Sequence, residues 1–133
     1  MSFNLEIVSP VKMVFQGAVK SVSIPGTLGN FQVLDNHAPM ISTFAVGKIK
    51  IEKESGTIEY STSGGVFEVK KNKAIVLAES IESTEEIDIE RAKKSKIRSE
   101  EILKMLEISS QEKQDAKLAL ERAINRIKIL EKK

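Results

Sequence analysis

All seven glycines and all three prolines lie at or before Gly65. Beyond that point the chain has no residue that supplies positive φ freely and none that breaks a helix by losing its backbone donor. Residues 85–133 carry neither type, and 24 of those 49 positions are charged, against 16 of the 84 before them. A composition break of this kind marks two architectures, one over residues 1–84 and one over residues 85–133, with the boundary near 83–86.

The first part reads as short strands. Phe3, Leu5 and Ile7 alternate with polar neighbours, as a strand with one buried face does, and Pro10 closes the run. Further strand-like runs cover 11–15, 18–24, 31–34, 48–53, 57–62, 66–70 and 73–79. They are punctuated by Pro25-Gly26, Asp35-Asn36, Ser55-Gly56, Gly64-Gly65 and Asn72. Eight or so closely spaced strands predict an antiparallel sandwich or flattened barrel, because parallel pairing needs long crossovers.

The second part predicts an antiparallel two-helix hairpin. Ser83 with Glu86, and Ser109 with Glu112, have the spacing of a capping box. The helices are expected over about 85–108 and 111–130. Ala92, Ser95, Ser99, Ile102, Leu103 and Leu106 form one apolar or small stripe. Ala116, Ala119, Leu120, Ala123, Ile127 and Leu130 form the other. A hairpin this polar gains little apolar burial by itself, so its resting place is conditional: docked on the strand domain, or extended onto a partner.

Charge and composition exclude several classes. A formal net charge of +2 argues against dominant electrostatic binding to nucleic acid or membrane. The chain has no cysteine, hence no disulfide framework or thiolate site, which fits a reducing compartment. Met1 to Glu6 show no basic start and no apolar run, so no secretory signal is expected, and no stretch reaches the roughly 20 apolar residues of a spanning helix.

Seventeen of the 21 basic residues are lysine; the only arginines are Arg91, Arg98, Arg122 and Arg126. Arginine presents a planar fork matched to carboxylate or phosphate oxygens and can stack on a flat ring. Arg122 and Arg126 have no acid three or four residues away on a helix, and they are like charges one turn apart, which mildly destabilises an isolated helix. Negative charge should come from outside that helix. Glu82, Asp88, Glu90 or Glu101 bridging the arginines is the plain alternative to a bound anion.

The order of motifs resembles the ε subunit of bacterial F-type ATP synthases over the whole chain. Val8-Ser9-Pro10 ends the first strand, and a glycine-rich loop leads to Asn36-His37-Ala38-Pro39. Ser63-Gly64-Gly65-Val66-Phe67-Glu68-Val69 is similar to the family's Gly-Gly signature, and the run 74–79 to its last strand. Ile87-Asp88-Ile89-Glu90-Arg91-Ala92 matches the I-D-x-x-R-A motif that opens the first helix, and 118–127 matches the terminal helix. Gln32 departs from the pattern, standing where many members have glycine.

The resemblance implies a non-catalytic rotor subunit. Its sandwich would bind the γ subunit and the c-ring, and its extended hairpin would reach the α/β catalytic head and restrain ATP hydrolysis. Ion transport would thereby be coupled to ATP synthesis at the cytoplasmic face of the bacterial membrane, peripherally and without insertion. No cofactor is implied, but ATP is implied as a regulatory ligand of Glu82, Ile87, Asp88, Arg91, Arg98, Arg122 and Arg126. Ring-facing positions would be Gly26, Gly29, Asn30, Asn36 and His37.

The remaining motifs are bland. His37 is the only histidine, and Asp35 beside it reads as a turn residue, so catalysis is not expected. Gly64-Gly65 opens a strand and not a helix, which reads as a tight turn and not a phosphate loop. No metal-ligand spacing and no Walker-type loop is present, so nucleotide would regulate and not turn over. The competing function is a soluble adaptor whose hairpin pairs with a partner helix; Ser95, Arg98 and Ser99 interrupt the heptads that pairing prefers. RNA binding is disfavoured by a single tyrosine and no tryptophan.

Overall fold

Alternation decides the strand domain. In β1 (Phe3–Val8) the side chains of Phe3, Leu5 and Ile7 are buried while those between them face outward. The strands that follow are β2 (Met13–Val19), β3 (Ser21–Ile24), β4 (Phe31–Leu34), β5 (Met40–Phe44) and β6 (Gly47–Lys53). After them come β7 (Gly56–Thr62), β8 (Gly65–Lys70), β9 (Lys73–Ala78) and the short β10 (Ile81–Ser83). The two-residue period of β1 is plainest again in β8 and β9. Two helices follow, α1 (Ile89–Leu103) and α2 (Ser110–Glu131). The computed structural model describes residues 2–84, 86–105 and 107–131. The chain divides into two compact units, Met1–Ser83 and Thr84–Lys133.

The strands form two five-stranded sheets, ordered β2-β1-β9-β8-β5 and β10-β7-β6-β3-β4. Their inward faces enclose one core, centred on fully buried Leu5, Ile7, Val22, Ile49, Ile51, Phe67 and Val76. Phe31 and Phe67 meet there edge to face, with ring centroids 5.7 Å apart. The expected sandwich is present, with three corrections. The pairing of β1 with β9 is parallel, from Asn4↔Lys73 to Val8↔Leu77. The intervening sixty-odd residues, which form most of both sheets, supply the long crossover that a parallel pair needs. β5 and β10 had no counterpart among the expected strands, and β2 begins at Met13 and runs to Val19, later than the 11–15 run.

Turn chemistry fixes the registers. Lys71 and Asn72 both have positive φ, 49° and 60°, and close the two-residue hairpin between β8 and β9. Asn72 also ties down two segments, the β4–β5 loop and the start of β1, through three hydrogen bonds. Its Oδ1 accepts from the Asn36 amide at 2.9 Å, its Nδ2 donates to the Ser2 carbonyl at 3.1 Å, and its own carbonyl accepts from the Asn4 amide at 3.2 Å. At the opposite end the chain crosses from one sheet to the other through Gly64 and Gly65. A Cβ on Gly65 would collide with the Leu77 carbonyl oxygen and press on Ala78 Cα at 3.0 Å, so only glycine allows this approach.

In the second unit the helices pack against each other in antiparallel order. Ala92 and Ser99 of α1 and Ala116 and Ala123 of α2 are buried, and each pair is seven residues apart. These small side chains are the seam that lets the backbones approach. Ser95, Ile102, Leu103, Ala119, Leu120, Ile127 and Leu130 flank it half-buried, while Leu106 lies outside the described residues. Ile129, absent from the expected stripe, is buried too. α1 is shorter than the expected 85–108. Ser83 does not cap it, because Ser83 is paired with Tyr60 in β10; Asp88 does.

Candidate functional site

Asp88 sets the start of α1. Its backbone is extended, at φ −91° and ψ 103°, and its carboxylate accepts from the Arg91 amide at 3.1 Å. That is a standard N-cap, and it satisfies one of the orphan donors of the first turn. Ile87 precedes the cap, half-buried, at the position from which an apolar residue staples to the fourth helical residue, here Ala92. Arg91 therefore sits in the first turn, at the positive end of the helix dipole, where a cation is disfavoured and an anion favoured. Across the loop, Ser109 caps α2 by accepting from the Glu112 amide at 3.1 Å.

The seam fixes where the arginines point. At about 100° per residue, Arg91 and Arg98 trail the Ala92–Ser99 line by roughly a quarter to a third of a turn. Arg122 and Arg126 trail the Ala116–Ala123 line by a similar angle and in the same sense. In antiparallel helices an equal offset of equal sense leads to the same side, so all four arginines share one side of the hairpin. Antiparallel order sets Ala92 level with Ala123, which brings Arg91 level with the Arg122–Arg126 pair. Arg98 stands two turns, about 10 Å, nearer the loop.

Their surroundings differ. Arg91 and Arg98 are exposed, and Arg122 and Arg126 are half-buried. Arg126 is already engaged within the molecule. Arg122 carries a buried Nε with no hydrogen-bond partner among the described residues. A buried donor left unmet costs about 1–3 kcal/mol, so a native chain that keeps one needs a reason. Glu82 belongs to β10, opposite Ser61, in the first unit, and is engaged within the molecule.

The loop positions are separated. Gly26, Gly29 and Asn30 form the β3–β4 turn, where the Gly29 amide donates to the Gly26 carbonyl at 3.0 Å and Gly26 bridges to Phe44. Asn36 and His37 form the β4–β5 loop, held to the Asn72 turn. The four residues of β4 lie between them, about 13 Å of strand, so the two groups sit at opposite ends of the sandwich and do not form one patch. His37 hydrogen-bonds through Nδ1 to the Ala38 carbonyl at 2.7 Å, a loop-bracing contact in which Nδ1 must donate. Among the described residues no cluster of three or more His, Asp or Glu side chains is placed to hold a metal, and no helix is long and apolar enough to cross a membrane.

The fold is a ten-stranded sandwich joined to a charged two-helix hairpin whose four arginines share one side. Two family models match in tandem: "ATP synthase, Delta/Epsilon chain, beta-sandwich domain" over residues 2–84 and "ATP synthase, Delta/Epsilon chain, long alpha-helix domain" over residues 85–131. The chain is 42% identical over 131 residues to the ATP synthase epsilon chain of Nitratidesulfovibrio vulgaris strain DP4, covering 96% of this chain and 95% of that one. It is 38% identical over 128 residues to that of Desulforamulus reducens, with 96% of each chain covered. The chain therefore belongs to the ATP synthase delta/epsilon chain family, and is a non-catalytic member of such a complex. Its fold is that of a chain in the Euglena gracilis mitochondrial ATP synthase (OSCP/F1/c-ring), with a TM-score of 0.87 at 21% identity, covering 97% of this chain and 81% of that one. A chain of the Tetrahymena thermophila central stalk and c-ring matches more loosely, with a TM-score of 0.65 at 12% identity, covering 95% and 94%.

Proposed function

We propose that this protein is a central-stalk subunit of a bacterial F-type ATP synthase, peripheral at the cytoplasmic face of the membrane. The sandwich holds the γ subunit and the c-ring and so helps couple ion movement to ATP synthesis. The hairpin regulates: extended, it engages the α/β head and restrains ATP hydrolysis; folded, it binds ATP and leaves the head free. The full-length match to ATP synthase epsilon chains supports the assembly. One observation carries the nucleotide reading. Four guanidinium groups from two helices share one side, Arg91 at a helix N-terminus and Arg122 with a buried donor unmet. Several forks around a triphosphate are what that arrangement suits, with the free oxygen of Asp88 available to a ribose or to an arginine.

ATP shifts the hairpin only by binding the folded form better than the extended one. Arg126→Ala removes one fork, and a charge-assisted contact of about 1.5–3 kcal/mol predicts ATP binding weakened roughly ten- to hundredfold. Arg126→Lys restores part of it, because the charge returns without the fork. Calorimetric titration of the isolated chain with ATP reads both. No binding at millimolar ATP, or equal affinity in wild type and Arg126→Ala, would reduce the arginines to helix-to-helix bridges.

A further inference from the structure

Strand register puts two lysines where the core would be expected to close with an apolar pair. β3 and β6 pair antiparallel, and Val22 opposite Ile51 is fully buried on their inward face. One pleat further along that face, the same register sets Lys20 opposite Lys53. The Lys20 amide holds this alignment by donating to the Glu52 carbonyl at 2.7 Å. Like charges directly opposed on one face destabilise a strand pair. Neither lysine has an ion-pair partner among the described residues. A lysine at the end of a core ordinarily carries its ammonium out to water. Lys53 is half-buried, and its ammonium stands 5.6 Å from the centroid of the Phe15 ring.

Both lysines line a cleft of about 320 Å³ at this end of the sandwich, between the last residues of β2 and the β6–β7 turn. Ser2 and Ser55 bring hydroxyls to its wall, and Glu54 brings one carboxylate. Two lysines against one glutamate leave the lining with a formal charge of +1. Glu54 is exposed at the turn and pairs with neither lysine.

We infer that this cleft binds a phosphate group, bridged between Lys20 and Lys53. An anion there turns one repulsion into two attractions. Lysine is a compact point charge with no planar fork, so two separate ammonium groups suit oxygens spread around a tetrahedron better than the flat edge of a carboxylate. The hydroxyls of Ser2 and Ser55 can donate to the remaining oxygens. A carboxylate from the chain itself is the weaker occupant, since the one already at the rim, Glu54, leaves both lysines unpaired. The site lies wholly within the first unit and uses no residue of the hairpin. It therefore stands or falls separately from nucleotide binding by the arginines. Free phosphate and the phosphate of a lipid headgroup share this chemistry.

Amide chemical shifts of the full chain test this, followed during titration with inorganic phosphate at constant ionic strength. The amides of Ser2, Lys20 and residues 54–56 should move together and saturate in the millimolar range, while chloride leaves them in place. Lys53→Met keeps the stem and removes the charge. It should weaken phosphate binding about tenfold or more, yet melt no lower than wild type, because an apolar side chain suits an inward position. Glu54→Gln removes the opposing charge and should tighten binding about two- to fivefold. Vesicles containing phosphatidic acid that broaden these amides in wild type but not in Lys53→Met, where free phosphate has no effect, would identify the lipid headgroup as the source. Saturation by free phosphate, unaltered by vesicles, would identify the free ion. A response to neither overturns the inference, as do shifts that climb linearly without saturating or that are the same in Lys53→Met. A Lys53→Met chain that melts well below wild type with phosphate affinity unchanged would also overturn it, leaving Lys53 a structural lysine.

Discussion

Arg122→Ala should act in opposite senses with and without nucleotide. Without ATP, the buried Nε of Arg122 has no partner among the described residues, and an unmet donor costs about 1–3 kcal/mol. Deleting the guanidinium removes that cost and loses only the packing of its aliphatic stem. Amide exchange in α2 of the nucleotide-free variant should therefore be no faster than in wild type. With ATP the sign reverses, because one charge-assisted contact of about 1.5–3 kcal/mol is gone and affinity falls about ten- to 150-fold. At an ATP concentration 100 times the wild-type Kd, wild type gains about 2.7 kcal/mol from the ligand, while a 30-fold weaker variant gains about 0.9. Hydrogen exchange across Ser110–Glu131 with and without ATP, together with calorimetric titration, measures both halves. Exchange in α2 that is tenfold faster in the nucleotide-free variant would show that Arg122 already holds the hairpin together. Undiminished ATP affinity would show that Arg122 does not touch the nucleotide.

Three further outcomes follow from the geometry. Asp88→Ala removes the cap that accepts the Arg91 amide and should cost about 1 kcal/mol, read as faster amide exchange confined to the first turn of α1. Gly65→Ala forces a Cβ against the Leu77 carbonyl and Ala78, and should lower the urea midpoint by the equivalent of about 1–3 kcal/mol, the cost of overpacking. A chain ended after Ser83 should fold, since every core residue of the sandwich lies between Phe3 and Ala78, and should bind γ while no longer restraining ATP hydrolysis; a folded fragment without γ binding would move the assembly surface to the hairpin.

What the sequence made legible was local. The Phe3-Leu5-Ile7 alternation, the 31–34 run and the turns at Ser55-Gly56 and Asn72 each depend on a few neighbouring residues, and each stands where expected. What it hid was non-local. β5 escaped notice because Ile41 and Thr43 are exposed on an edge strand and only Phe44 is fully buried, which blurs the alternation. The parallel β1–β9 pair joins segments more than sixty residues apart, which no short-range pattern records. Ser83 and Glu86 have capping-box spacing, but pairing with Tyr60 claimed Ser83 for β10 and left the cap to Asp88. Asn30 and Asn36 look adjacent in sequence, yet β4 sends them to opposite ends. The arginine pairs were legible because helical period is local; the unmet Nε of Arg122 was not, because burial is a property of the packed molecule.

The two units differ in how much holds them, and this bears on which one can serve as a switch. The sandwich core takes sixteen buried side chains, none of them from the hairpin, so the hairpin can change state without unfolding it. The hairpin buries three alanines, a serine and Ile129. At about 0.8 kcal/mol per buried methyl the alanines contribute about 2–3 kcal/mol, and Ile129 about 1.5–3 kcal/mol more. A sum this small, set against the cost of ordering the chain, is within reach of a small ligand. ATP at 1,000 times its Kd contributes about 4.1 kcal/mol, a thousandfold shift, enough to take a hairpin folded one time in thirty to one extended about one time in thirty. A leucine-rich seam of the same length would hold the helices by several kcal/mol more and put them beyond that reach. The small-residue seam is thus an expected feature of a hairpin whose state is set by nucleotide, and Ala123→Leu, which overpacks a fully buried seam position, should weaken the folded hairpin.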